Sequence, residues 1–287
     1  MASHEHLHPH GHAHDHHHGH GHGHDEAGLA DMLDLDAEVH GPLLDELTGW
    51  AAGHAPSAVR TVADIGAGTG TGTMALARRF ADAEVVAIDR SDAMLARVRS
   101  AADAQGLDGR VRTVQADLDV AWPAVRPVDV AWAAMSLHEV ADPDRVLGDV
   151  HAALTPGGLL VVVEMDGFPR FLPEDIGFGR PGVEVRCHDA LRRGGWNSHP
   201  DWHPHLERAG FQVADQRTFP VERPPTSNTG RYARTFLGRA REFLAGTLDP
   251  DDLATLDRLL GDGADSLAKR SDLVVRGSRT AWAARSR

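Results

Sequence analysis

The stretch VADIGAGTGTGTMAL, residues 62–76, places glycines at 66, 68, 70 and 72 between an apolar run and a helical one. Alternate glycines let a backbone turn at positive φ, and they let something approach it more closely than a Cβ would allow. The flanking residues show what kind of chain carries such a turn. AVRTVADIG reads as a buried strand and TGTMALARRF as the helix that follows it. AEVVAIDRS is a second strand, after which Ser91 offers an N-cap to DAMLARVRSAADAQ. GRVRTVQAD is a third strand and PVDVAWAAM a fourth. Asp142 and Pro143 then open a helix in cap-then-first-turn order, and Gly157-Gly158 mark its end. GGLLVVVEMD is a fifth strand, apolar enough to be covered on both faces. Such alternation with short loops predicts an α/β fold, an open, doubly wound and mostly parallel sheet. Ligands of that architecture bind beyond the carboxyl ends of the strands, where strand order reverses, and the glycine stretch lies at such an end.

Composition narrows the classes further. The 287 residues carry a formal charge of −13, which disfavours a nucleic-acid backbone as partner, because neutralising phosphates needs a basic face. The sequence has no apolar run of membrane-spanning length and no charged-then-apolar leader, so no membrane partner is expected and the reading places the protein in the cytoplasm. Cys187 is the single cysteine, which excludes an intramolecular disulfide.

Three regions are predicted. Residues 1–25 form a low-complexity, His-rich tail with almost nothing to bury, and disorder is expected there. His4, His6, His8, His10, His12, His14, His16, His17, His18, His20, His22 and His24 could wrap a divalent metal such as zinc, nickel, copper or cobalt, or form a solvated tail without such a role. Residues 26–56 read as amphipathic helices broken or bent near Gly41-Pro42. Residues 57–287 hold the α/β domain, with insertions at about 167–204 and 226–262. The first insertion, rich in Gly, Pro, Phe and Trp, is a candidate pocket roof, and the second holds two amphipathic helices joined near Asp249-Pro250. Trp202, Leu206 and Phe211 are expected to pack the helix before the sixth strand.

The spacing around Asp64 is D-x-G-x-G-x-G, whereas a dinucleotide fold asks for G-x-G-x-x-G, and the place of its third glycine holds Thr71. Asp89 ends the second strand about 20 residues beyond the glycines, where a carboxylate can accept from both ribose hydroxyls. The ligand class is a nucleoside with a ribose and an anionic end. Spacing alone leaves a nicotinamide dinucleotide open.

Taken together, VADIGAGTGTG, VVAIDRS, VQADLD, the run from VDVAWAAM to VVVEMD, and ERAGF resemble the class I S-adenosylmethionine-dependent methyltransferase family over roughly residues 57 to 220. The closing LVVRGSRTAWAAR is similar to that family's last antiparallel strand. The resemblance implies a Rossmann-like, seven-stranded sheet with helical additions and S-adenosyl-L-methionine across the strand ends. It implies that Gly66, Ala67, Gly68 and Gly70 approach the cofactor's methionine part, with Asp64 shaping the loop. Asp89 would hold the ribose with Arg90 beside it, Asp117 and Leu118 would meet the adenine, and Ala133 and Ala134 would line the floor near the sulfonium.

Methyl transfer to a small-molecule acceptor is the activity so implied. The alternative is a non-catalytic protein on the same fold that senses the cofactor or handles metal. In-line transfer from an activated sulfonium mainly requires alignment and exclusion of water, with a base only where the acceptor brings a proton. His138 is the candidate base, with a pKa useful near neutrality, or else a loop histidine that shapes the pocket. Glu139 departs from the second histidine of many relatives. Glu164 and Asp166 end the fifth strand and could orient an amine or hydroxyl, and Tyr232 could reach the acceptor or pack in the core. His188, His199, His203 and His205 lack the spacing of a metal site.

Overall fold

A computed structural model of the protein describes residues 22–125, 127–194 and 201–286. Seven strands form one sheet: β1 (Thr61–Ile65), β2 (Glu84–Asp89), β3 (Val111–Gln115), β4 (Val128–Ala134), β5 (Leu154–Met165), β6 (Gln212–Arg223) and β7 (Val275–Arg285). Their order is β3-β2-β1-β4-β5-β7-β6, and all neighbours are parallel except β7, which runs antiparallel between β5 and β6. Strand order reverses between β1 and β4, so the crevice a ligand would use opens where β1 ends. The central strands are apolar on both faces because helices cover both; Leu159 to Val163 of β5 are all buried.

Local sequence sets the helix starts. Ser91 accepts the Met94 N–H at 3.2 Å to open α3 (Asp92–Ala104), and Asp142 accepts the Arg145 N–H at 3.0 Å to open α4 (Pro143–Ala153). The α4 helix stops before Gly157-Gly158, where its end was expected. Thr155 precedes Pro156, a position disfavoured for helix, so Leu154 is already extended and the TPGG stretch belongs to β5.

The N-terminal region departs from expectation more strongly. It is a single helix, α1 (His22–His54), that runs through Gly41 and Pro42 and begins inside the tract expected to be disordered. An interior proline removes one backbone hydrogen bond and crowds the preceding turn. Burial of Leu35, Val39, Leu43, Leu47 and Ala51 in the main apolar cluster offsets that loss. At its far end α1 is fastened to the outer strands: Trp50 Nε1 donates to Asp215 at 3.1 Å, and Arg285 donates to the His54 carbonyl at 2.8 Å.

Most of the first insertion packs inward. Phe168, Phe171, Leu172 and Ile176 are buried with α5 (Val183–Arg193) and α7 (Thr229–Phe243), so the aromatic side chains expected to roof a pocket are core. The Glu184 carboxylate accepts the Phe171 and Leu172 N–H groups at 2.7 and 3.0 Å, and burial pushes its pKa up to about 7 against those bonds. Cys187 is buried beside it, and burial, with Asp252 and Glu184 nearby, pushes its thiol up to about 12. Trp202, Leu206 and Phe211 pack α6 (His203–Arg208) against α4 and the other face of the sheet, as their spacing predicted. Asp249 caps α8 (Pro250–Leu260), which packs beside α7. No described helix is long and apolar enough to cross a membrane.

Candidate active site

At the exit of β1 the chain turns through Gly66, Gly68 and Gly70 at φ of +69°, +52° and +92° before α2 (Thr71–Arg79) begins. Each glycine answers to a different neighbour. A Cβ on Gly66 would lie 2.4 Å from the Ser136 Cβ in the loop after β4, and one on Gly70 would lie 3.0 Å from Val98 Cγ2 of α3. Packing within the fold therefore requires two of the three. At Gly68 an added Cβ would meet only Leu33 of α1, 3.1 Å from its Cδ1. Gly68, half-buried like Gly66, faces α1 rather than the body of the sheet.

The turn is tied to the end of β2. The Gly66 and Ala67 N–H groups donate to the Ile88 carbonyl at 2.9 and 3.0 Å, and the Gly68 N–H donates to Asp89 Oδ2 at 2.9 Å. Asp89 Oδ1 accepts the Ser91 N–H at 2.9 Å. Each oxygen thus holds one protein donor and keeps capacity for another. Asp64 is buried below the turn and accepts from Thr73 Oγ1 at 2.6 Å; burial pushes its pKa up to about 7, against the Thr73 bond and with the Asp89 charge adding to the rise. Asp117 is exposed after β3 and accepts the Asp119 N–H at 3.0 Å, while Leu118 beside it is half-buried. Ala133 is completely buried in an apolar layer, and Ala134 is the half-buried member of that pair.

The loop after β4 carries the second part of the site. Met135, at φ +59°, is the non-glycine residue with positive φ among the described residues, and its strain lies directly before Ser136 and His138. Ser136 Oγ donates to the Ile65 carbonyl at 2.7 Å, which fixes this loop against the end of β1. His138 Nδ1 lies 2.9 Å from Glu164 Oε2, and its Nε2 lies 3.3 Å from Glu139 Oε1. Burial alone would lower His138, but hydrogen bonds and charge from Glu139 and Glu164 outweigh it and raise the pKa to about 9. His138 is therefore an imidazolium at neutral pH, not the near-neutral base expected. Its hydrogen bond and charge hold Glu139 below the usual carboxylate range, and the charges of Arg90 and Arg239 add to that. Asp166 turns away: it is exposed and accepts from Thr280 Oγ1 at 2.6 Å.

A third part was not foreseen. The half-buried Asp36 of α1 accepts two hydrogen bonds from Arg279 Nη2, both at 2.8 Å, and one from Tyr232 Oη at 2.8 Å. His40, one turn along, has Nε2 3.6 Å from Asp36 Oδ1. The available signal was an Asp and a His four residues apart beside the buried stripe of α1. Their partners come from 232 and 279, too distant in sequence for spacing to find.

Comparison with known proteins bears on this arrangement. Residues 62–158, which contain the glycine turn, Asp89, Asp117 and His138, match the family model described as a methyltransferase domain. Demethylmenaquinone methyltransferase of Thermus thermophilus is 36% identical over 114 residues, 39% of this chain and 50% of the relative. Trans-aconitate 2-methyltransferase of Variovorax paradoxus is 36% identical over 107 residues, 37% of this chain and 39% of the relative. Residues 62–158 thus carry a methyltransferase domain, similar to these S-adenosylmethionine-dependent enzymes. It spans about half the length, or less, of these curated methyltransferases. The methyltransferase fold recurs in the solved YcgJ protein of Bacillus subtilis, at TM-score 0.54 and 17% identity over 84% of this chain and 98% of that one. It recurs also in the BH2331 protein of Bacillus halodurans, at TM-score 0.54 and 19% identity over 83% and 98%.

Among the described residues no group of three or more His, Cys, Asp or Glu side chains could hold a metal ion. The histidines from His4 to His20, and His199, lie outside the described residues, while His22 and His24 fall in the first turns of α1. His188 is buried against Phe168 and Phe236, and His205 is paired with Asp144.

Proposed function

We propose that this methyltransferase-family protein transfers a methyl group from S-adenosylmethionine to a small-molecule acceptor, and that His138, steered by Glu164, handles the acceptor's proton. The observation that carries the reading is the meeting, at one strand-order reversal, of the Gly68 backbone and Asp89 on one side with the His138–Glu164 pair on the other. The family match and the small-molecule acceptors in the relatives' names support it.

The residues suit the cofactor. Asp89 retains acceptor capacity on both oxygens for ribose hydroxyls, and Gly68 is covered only by an apolar side chain that can move aside. Gly66, Ala67 and Gly70 shape the turn, Arg90 flanks the ribose end, and Asp117 and Leu118 lie where an adenine would end. Ala134 would line the floor near the sulfonium, with Ala133 sealed in the apolar layer beneath. When bound, S-adenosylmethionine supplies a methyl group already activated by a positive sulfur.

What remains for the chain is to position, to dry and to accept a proton. Leu33 and the apolar face of α1 exclude water over the turn. Glu164 accepts from His138 Nδ1–H and so orients the ring. Once deprotonated, Nε2 turns from Glu139, whose side chain is 69% exposed and free to rotate, and takes the proton the acceptor loses.

Calorimetry with S-adenosylmethionine, S-adenosylhomocysteine and NADH tests the cofactor class, and incubation with methyl-labelled cofactor and metabolite extract tests turnover. Binding of NADH in preference to the adenosyl compounds defeats the reading. Tight binding with no labelled product favours a sensing role instead.

A further inference from the structure

Among the described residues the buried carboxyl groups are those of Asp64, Glu164, Glu184 and Asp252. Three of them have positive charge beside them. Glu164 faces the His138 ring, Asp252 is bound by Arg186 and Arg180, and Glu184 accepts two backbone N–H groups with the charges of Arg276 and Arg170 close by. Asp64 differs. The charge that bears on it is the negative one of Asp89 on β2, and no cation among the described residues counters it. Burial, with Asp89 and against the Thr73 hydrogen bond, pushes its pKa up to about 7, so at neutral pH the carboxyl is divided between its acid and its ion. It stands two residues before Gly66, at the strand end where the turn begins. A buried carboxyl without a counter-charge at that place points to a ligand that brings one.

The donors that an ionised Asp64 needs are next to it. Thr73 Oγ1 of α2 donates to Oδ2 at 2.6 Å, and Oδ1 has no hydrogen-bond partner among the described residues. Trp132 of β4 is the register partner of Asp64 in the parallel β1–β4 pair, so both side chains leave the sheet on the same face. They converge under Gly72 of α2: a Cβ there would lie 3.3 Å from Asp64 Oδ2, 3.7 Å from Oδ1 and 3.5 Å from Trp132 Nε1. Trp132 is wholly buried, and its Nε1 is without a partner among the described residues. An indole nitrogen can only donate and a carboxylate can only accept, so ionisation of Asp64 gives the orphaned N–H an acceptor within reach.

Building on the methyltransferase reading, we propose that Asp64 is the counter-charge for a cationic group of S-adenosylmethionine, that it gives up its proton to solvent as the cofactor binds, and that Trp132 is a positioning residue whose indole N–H then donates to the Asp64 carboxylate. The sulfonium and the ammonium are the two cations that the cofactor brings to the strand end. Positive charge at the turn favours the ion over the acid, so by linkage the cofactor binds more tightly as pH rises through about 7. Trp132 acts only through Asp64.

Calorimetry of the full chain with S-adenosylmethionine at pH 7, run in phosphate and in Tris, reads the protons exchanged on binding from the difference in buffer heat. Release of about half a proton is expected, with affinity about tenfold higher at pH 8 than at pH 6. Asp64→Asn should release none and flatten the profile. Trp132→Phe keeps the aromatic packing without the N–H, and it should move the rising limb up by about half a pH unit or more. S-adenosylhomocysteine, which lacks the sulfonium, separates the two sources: undiminished release assigns the countered cation to the ammonium, and reduced release to the sulfonium. In the wild type an indole N–H resonance is expected to move downfield on binding, a readout that needs no variant to fold. Tight binding with no proton release, release that persists in Asp64→Asn, a limb that stays in place in Trp132→Phe, or unmoved indole resonances overturn the proposal and leave the methyltransferase reading standing. Failure of both adenosyl compounds to bind at any of these pH values overturns the two together.

Discussion

His138 keeps its proton through neutrality because carboxylates face both ring nitrogens. Its folded pKa of about 9 lies above the ordinary value of 6.5, so its contribution to stability is complete below about pH 6.5 and is lost as pH rises through about 9. The activity response runs the other way, since only deprotonated Nε2 can take a proton. A plot of kcat/KM against pH is expected to rise with its midpoint near 9 and to level off above it, and His138→Ala to lower kcat by about 10²-fold. In Glu164→Gln the rising limb should move to lower pH, because one of the groups that raises the pKa is gone. A limb that stays in place would show that Glu164 does not steer the ring. Gly66 makes a purely steric forecast. With φ at +69° and Ser136 Cβ 2.4 Å from any added methyl, Gly66→Ala should lose roughly 1–3 kcal/mol in urea unfolding. Ser136→Gly in the same chain should recover part of that loss.

The helix α1 does more than cap the sheet, because it brings Leu33 to the glycine turn and Asp36 to Arg279 from successive turns. Burial alone would raise the Asp36 carboxyl, but the Arg279 charge, His40 and the hydrogen bonds from Arg279 and Tyr232 hold it below its ordinary value. A lowered carboxyl stabilises the fold above about pH 3.9, and that stabilisation is lost as pH falls below it. Removing one partner leaves Arg279, with 13% of its side chain exposed, as an uncompensated charge. Asp36→Ala should therefore destabilise by an amount near the lower end of roughly 3–5 kcal/mol, measured by denaturant unfolding. The double replacement Asp36→Leu with Arg279→Met should be far closer to wild type, since two well-packed apolar side chains need no counter-charge.

Considered as a whole, the molecule joins an acidic α/β body to an N-terminal tract of alternating histidines, with a net charge of −13 over the full chain. No metal-capable cluster occurs among the described residues, so any zinc taken up by the full chain is expected to come from the tract. Calorimetry with zinc should show binding to the full chain and almost none after deletion of residues 1–21, while S-adenosylhomocysteine binding is unchanged. Zinc binding that survives the deletion would place the ligands in the folded body.

The strands, the reversal point and the Ser91 and Asp142 caps were legible because they depend on residues close in sequence: an apolar run, a glycine turn, a capping oxygen three residues from its amide. The glycine turn and Asp89 were legible for the same reason, as a loop and the next strand end separated by one helix. The continuity of α1 through Pro42 was not legible, because local propensity favours a break and burial against a distant sheet overrides it. Nor was the state of His138 or the Asp36–Arg279–Tyr232 cluster. A pKa and a buried ion pair depend on which charges folding brings within a few ångströms, and in the Asp36 cluster those charges come from opposite ends of the chain.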